Sequence, residues 1–233
     1  MLIDMYGSRS FLIHLLNSKL DIKINRAYTG TTIESQMEKT SYVNEIILNR
    51  IISDHEKLEI KTDFQKTFRR FHPFSKSKII IVDFMHEGKN SIKINKKTYV
   101  KRAVLNRYGL DLREGTEITR EKKLGNVEKY LESFISYVSN YDLIIINKTR
   151  TPKFEKDKND KLLLKDNIDE INFLNFYGEL FEDLLEQRLN NVAVIPEFSP
   201  LKDLKDGYLK SKEYQQHLNE NLDRILKENY QFL

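Results

Sequence analysis

Three polar residues stand directly behind short apolar runs. Ser8 follows LIDMYG, Asp83 closes KIIIVD and Asn147 closes LIIIN. A serine hydroxyl attacks a carbonyl when a neighbouring group takes its proton, and a nearby amide can stabilise the oxyanion that forms. Each residue also has a plainer reading. Ser8, after Gly7, has the chemistry of a helix N-cap; Asp83 can cap its strand; Asn147 can hold the turn into KTRTP. His86 and Glu87 come next after the KIIIVD run, and the segment DLKD places Asp203 and Asp206 three apart. One histidine beside one glutamate, with no His-x-x-x-His pair in the chain, is no basis for a metal site, and none is expected.

A second group could hold a ligand rather than react with it. Gly7, Arg9 and Ser10 form the turn after the first run, and Arg26, Lys148 and Arg150 follow later runs. Together they could set a positive field for a phosphate or another anionic group, or remain solvated surface charges. Neither GxxxxGK[ST] nor GxGxxG occurs, so a glycine-rich nucleotide loop is not expected.

For these residues to meet, the runs that carry them must lie side by side. Five runs read as strands: Leu2–Tyr6, Leu20–Ile24, Lys78–Asp83, Leu143–Asn147 and Val192–Pro196. The last three are continuous rather than alternating, the pattern of strands covered on both faces. Helix-period segments separate them: Ser41–Phe71 in two pieces divided near Ser53, then Leu124–Tyr141, Ile168–Leu189 and Tyr214–Leu226. The alternation predicts a single α/β domain over residues 1–233, a doubly wound flavodoxin-like parallel sheet of about five strands in the order 2-1-3-4-5. NSIKINKKTYV reads as a small hairpin and TPKFEKDKNDKLLLKD as a charged, mobile loop. In such a sheet the ligand crevice lies beyond the carboxyl ends of the strands, where the candidate residues fall.

Composition narrows the function classes. The 233 residues include no Cys, which excludes disulfides and thiolate catalysis. The net charge of +4 comes from 39 basic and 35 acidic residues that are interspersed, a solvated surface rather than a nucleic-acid footprint. No run approaches the roughly 18 apolar residues of a membrane span, and Asp4 interrupts the first apolar segment, so a soluble, cytoplasmic chain is expected.

Taken together, MYGSRSF, RAYTGTTIESQ, DFQKTF, KSKIIIVDFMHE, LIIINKTR and DLKDGYLKSKEY resemble the SGNH (GDSL-like) hydrolase superfamily, in particular a bacterial branch among polysaccharide-biosynthesis proteins. The resemblance spans nearly the whole chain. It implies acyl transfer or ester hydrolysis, with Ser8 as nucleophile, Asn147 as an oxyanion donor and Asp83, His86, Asp203 or Asp206 assisting. It further implies a glycan or glycan-precursor substrate, an acyl-CoA donor with no resident cofactor, and partner proteins of a surface-polysaccharide assembly. Where the family has Asp-x-x-His, this chain has Asp203-Leu204-Lys205-Asp206, and relatives with Gly-Ser-Cys would put Arg9 at the attacking position. His217, eleven residues beyond Asp206, falls inside a helical pattern and reads as structural. A catalytically degenerate member, kept as a binding or assembly subunit, is the alternative. A phosphate or nucleotide-sugar binder using Arg9, Arg26 and Arg150 is a third.

Overall fold

The computed structural model describes residues 1–38, 45–94, 97–100, 115–157, 161–198, 202–203 and 212–229. The chain begins with β1 (Leu2–Gly7), α1 (Arg9–Leu16), β2 (Lys23–Thr29) and four short helices, α2 (Ile33–Gln36), α3 (Glu45–Arg50), α4 (Asp54–Gln65) and α5 (Thr67–Phe71). There follow β3 (Ile79–Val82), β4 (Ser91–Ile94), β5 (Lys97–Val100), β6 (Thr116–Ile118) and α6 (Arg120–Val138). The remainder is β7 (Leu143–Thr149), β8 (Phe154–Lys156), β9 (Leu162–Leu164), α7 (Ile168–Arg188), β10 (Val192–Phe198), β11 (Lys202–Asp203) and α8 (Lys212–Asn229).

The fold is α/β, built on a five-stranded parallel sheet in the order β10-β7-β3-β1-β2, the flavodoxin-like order expected from the sequence. Ile79 of β3 pairs with Ile3 on one side and Leu143 on the other. The isoleucine runs of β3 and β7 occupy central strands, and Ile79–Val82 and Leu143–Ile146 are buried throughout. One sheet face, through Ile3, Met5, Ile81 and Ile145, packs against Phe11 and Leu15 of α1 and Leu218 and Leu222 of α8.

Contacts divide the chain into two compact units. The first comprises Met1–Ala27, Lys76–Gly88 and Asn140–Leu233; the second comprises Tyr28–Ser75 and Lys89–Ser139. The second unit holds the antiparallel strands β5-β4-β6 and an aromatic core in which Phe68 stacks on Phe134 at 5.2 Å and meets Tyr28 edge-on at 5.0 Å. β4 and β5 pair antiparallel as the expected hairpin requires, Ser91 opposite Val100 and Ile94 opposite Lys97. Ser53 caps α4 by accepting the Glu56 N–H, at the division expected between two helical pieces.

Two expectations require correction. The second strand runs over Lys23–Thr29, not Leu20–Ile24. Leu20 and Ile22 pack on the core from a tight turn, with the Ile22 N–H donating to the Leu20 carbonyl at 2.8 Å, so their apolar character reflects burial without pairing. The charged segment after β7 is not structureless: Phe154 pairs with Leu164 and Lys156 with Leu162 in an antiparallel hairpin. Its turn closes through Asp157, whose N–H donates to the Lys161 carbonyl and whose carboxylate accepts the Lys161 N–H, both at 2.9 Å.

Candidate functional site

β1 ends at Gly7 with φ of +147°, and Ser8 then caps α1. A left-handed φ suits glycine, and a Cβ at this position would come within 2.7 Å of the Asp83 Cβ and carbonyl oxygen. Gly7 is therefore required both by its backbone conformation and by the close approach of β3's exit. That approach brings residues 8 and 83 together.

The Ser8 hydroxyl donates to Asp83 Oδ2 at 2.6 Å and accepts the Phe11 N–H at 3.2 Å. Both readings of Ser8 are realised at once: it caps α1 and it faces a carboxylate. Asp83 Oδ1 accepts the Met85 N–H at 2.9 Å, which holds the carboxylate in place. Burial raises the Asp83 pKa above the ordinary carboxylate value, against the opposing pull of the Ser8 hydroxyl, the Met85 and Ser8 amides and the charge of Arg150. Ser8 itself is only 1% exposed.

β7 contributes Asn147 and Thr149, and Arg150 follows it directly. The Asn147 amide donates to Thr149 Oγ1 at 2.7 Å and to the Tyr214 hydroxyl of α8 at 2.8 Å. Burial, followed by the negative charge of Asp83, raises the Tyr214 phenol well above its ordinary value, despite hydrogen bonds from Thr149 and Asn147. Tyr214 thus stays a neutral hydroxyl over the physiological range. In this arrangement both amide hydrogens of Asn147 are already spent.

Arg150 is buried and forked onto Glu182 of α7, through Nη1 at 2.8 Å and Nη2 at 2.7 Å. It also reaches the half-exposed Glu179 at 3.2 Å and Glu197 at 3.4 Å. Burial works against the charged guanidinium, but Glu182, Glu197 and Glu179 more than offset it, and the Arg150 pKa is raised. Burial in turn pushes the Glu182 carboxyl up to about 7, against Arg150 and Lys148. The pair is a closed ionic unit whose remaining field reaches Asp83.

The other candidates fall elsewhere. Arg9 is exposed at the first position of α1, Ser10 is half-buried behind it, and Arg26 is half-buried on β2. His86 is half-buried in the turn after Asp83, and the hydroxyl of Ser8 takes its bonds from Asp83 and Phe11 rather than from an imidazole. His217 stacks on Phe198 at 4.9 Å and its Nε2 meets the Pro196 carbonyl at 3.0 Å, where it fastens α8 to the end of β10. Asp203 lies on the short strand β11, and Asp206 is outside the described residues. Among the described residues, no group of three His, Asp or Glu side chains is placed to hold a metal ion, and no helix is long and apolar enough to cross a membrane.

Thr149, Tyr214 and Glu182 are members of this constellation that the strand-end argument alone does not select. Glu182 carried a signal: it falls one residue after Phe181 and three before Leu185, on the buried side of α7. A charged residue at a core-facing position requires a partner. Tyr214 carried none, because its partners Asn147 and Thr149 belong to a distant strand.

A dense polar cluster also lies within the second unit. Ser35 donates to Asp63 at 2.5 Å and accepts from the Lys66 ammonium at 2.5 Å, while Lys66 also reaches the Thr98 carbonyl at 2.6 Å. Nearby, Lys123 binds Glu34 at 2.9 Å and Ser91 at 3.0 Å. All these side chains are buried and their charges are matched, so the cluster is an internal framework.

No protein-family model and no curated protein matches the sequence.

Proposed function

We propose that the first unit carries an SGNH-like acyl-transfer or ester-hydrolysis site in which Ser8 is the nucleophile and Asp83, rather than a histidine, accepts its proton. The observation that carries this reading is the 2.6 Å bond from the Ser8 hydroxyl to Asp83 Oδ2. An ordinary carboxylate is a weak base for a serine hydroxyl, but one raised by burial moves toward the range in which proton transfer at neutral pH is effective. In the reaction, Ser8 Oγ would form a bond to the acyl carbonyl carbon as its proton passes to Asp83. The bond from that carbon to the leaving oxygen or sulfur would break, and the leaving group would take the proton. An acceptor hydroxyl or water would then attack the acyl-Ser8 ester and give its proton to Asp83, and the bond from the acyl carbon to Ser8 Oγ would break as Asp83 returns that proton to the serine. The substrate class is a glycan or its precursor and the donor an acyl-CoA or acyl ester.

A second reading has its own support. Ser8 is 1% exposed and both hydrogens of the Asn147 amide are taken up internally. That arrangement suits a catalytically degenerate member of the same fold that works as a binding or assembly subunit.

Hydrolysis of a small activated acetyl ester and of acetyl-CoA by the full chain decides between them. Turnover by the wild type that is abolished in Ser8→Ala and strongly reduced in Asp83→Asn, with both variants folded by circular dichroism, supports the first reading. Equal turnover in the wild type and Ser8→Ala, or none in either, removes it in favour of the second.

A further inference from the structure

An open cleft of about 430 Å³ lies within the first unit, away from the buried Ser8 hydroxyl. Its walls come from the segment that leaves β7, from one face of α7 and from the end of β10. On α7 the lining positions Asn172, Phe176 and Glu179 recur at four and three residues, so they share one side of the helix. The facing segment is fastened there by a reciprocal clamp: the Thr151 N–H donates to Asn175 Oδ1 at 2.8 Å, and Asn175 Nδ2 donates to the Thr151 carbonyl at 3.1 Å. The cleft is therefore held open by hydrogen bonds rather than formed by a loose loop.

Its lining combines two chemistries. Phe154 and Phe176 leave 44% and 51% of their surface in water, an unfavourable placement for two large rings that line one cavity. Beside them stand Asn172 and the half-exposed carboxylates of Glu179 and Glu197. Arg150, the buried cation of the wall, is already matched by three carboxylates. Lys153 also lines the cleft, but as an exposed, solvated ammonium, so a polyanion such as coenzyme A would meet Glu179 and Glu197 with only that screened charge and the already matched Arg150 to receive it. A ring with an apolar C–H face and a hydroxyl edge fits better: its face covers the phenylalanines, and its hydroxyls donate to the carboxylates and exchange hydrogen bonds with Asn172.

We propose that this cleft binds an uncharged pyranose oligosaccharide, with Phe154 and Phe176 as its stacking surfaces and Glu179, Glu197 and Asn172 as its hydroxyl partners. That the bound sugar is the acyl acceptor rests on the acyl-transfer reading; that a sugar binds does not.

The test is a titration of the 15N-labelled full chain with maltotriose, tri-N-acetylchitotriose and coenzyme A, followed by amide chemical shifts. A neutral trisaccharide should bind with a dissociation constant in the roughly millimolar range and shift the amides of Asn172, Phe176 and Glu179. Phe176→Ala should weaken binding about tenfold or more, equivalent to ~1.4 kcal/mol, and Ser8→Ala should leave it unchanged. Phe176 is half-exposed, so its truncation leaves the core intact, and Glu179→Gln provides a second variant that should weaken binding without loss of fold. Failure of both saccharides to shift these amides, or coenzyme A shifting them instead, overturns the proposal. Saccharide binding without Ser8-dependent turnover would leave this inference standing and remove the acyl-transfer reading; Ser8-dependent turnover without saccharide binding would do the reverse.

Discussion

Gly7 and Asp83 approach so closely that a Cβ on Gly7 would lie 2.7 Å from both the Asp83 Cβ and its backbone oxygen. This contact sets the distance between the ends of β1 and β3, and with it the bond from Ser8 to Asp83. Gly7→Ala introduces the clash together with an unfavourable φ, and should cost about 2–4 kcal/mol of stability. Urea unfolding of the variant measures that cost. A variant as stable as the wild type would show that the strand ends part easily and that the Ser8–Asp83 geometry is not enforced by the backbone.

The raised pKa of Asp83 ties activity and stability to pH in opposite directions. Because the folded carboxyl holds its proton more tightly than the unfolded one, the folded state binds more protons between the two values. The contribution of Asp83 to stability is fully present below the ordinary value of 3.8 and is lost as pH rises through the raised one. Activity that needs the ionised carboxylate should rise over that same interval. The acid limb of kcat/KM is expected above 3.8, and the difference in unfolding free energy between wild type and Asp83→Asn should change in step with it. An acid limb at the ordinary carboxylate value would assign the proton acceptor to another group.

Arg150 and Glu182 should behave as a unit. Glu182→Ala leaves a buried guanidinium with only the half-exposed Glu179 and Glu197, and should destabilise by about 3–5 kcal/mol. The double replacement Arg150→Met with Glu182→Leu should cost less than Glu182→Ala alone, because no charge is then left unmatched. Denaturant midpoints of the two variants make the comparison, and a double variant weaker than the single one would refute the pairing argument.

Tyr214→Phe removes one hydroxyl and leaves a buried Asn147 hydrogen without an acceptor, for an expected loss of about 1–3 kcal/mol at neutral pH. The alkaline response distinguishes this from a simple packing change. In the wild type the folded phenol keeps its proton while the unfolded one ionises near 10, so the contribution of Tyr214 is intact below that value and declines above it. The gap in stability between wild type and variant should therefore narrow as pH rises past 10, as read from denaturation at each pH. A gap that stays constant would mean that Tyr214 ionises as freely folded as unfolded.

The sheet was readable in the sequence where burial is two-sided. Ile79–Val82 and Leu143–Ile146 leave no polar position to face water, and they form β3 and the first part of β7 as that pattern demands. Leu20 and Ile22 obey the hydrophobic rule without joining the ladder, which β2 enters only at Lys23. The β8–β9 hairpin was hidden by its charge: its leucines are exposed, so no buried face wrote an alternation into the segment. At the site, Ser8, Asp83 and Asn147 could be picked out by their position at strand ends. Tyr214 could not, since nothing local to a helix records a hydrogen bond to a strand far away in the chain.

The order in which the strands meet has a consequence for how the chain is made. β3 finds its partners at Ile3 and Leu143, so its buried isoleucines pair across long stretches of chain on both sides. Contacts of that range form late, because the entropy of closing the intervening loops opposes them. During synthesis, KIIIVD emerges from the ribosome well before LIIIN exists to cover its second edge. A strand buried throughout in the finished molecule is thus a sticky, half-paired edge in the nascent one, and the time to make α6 and β7 sets how long that exposure lasts.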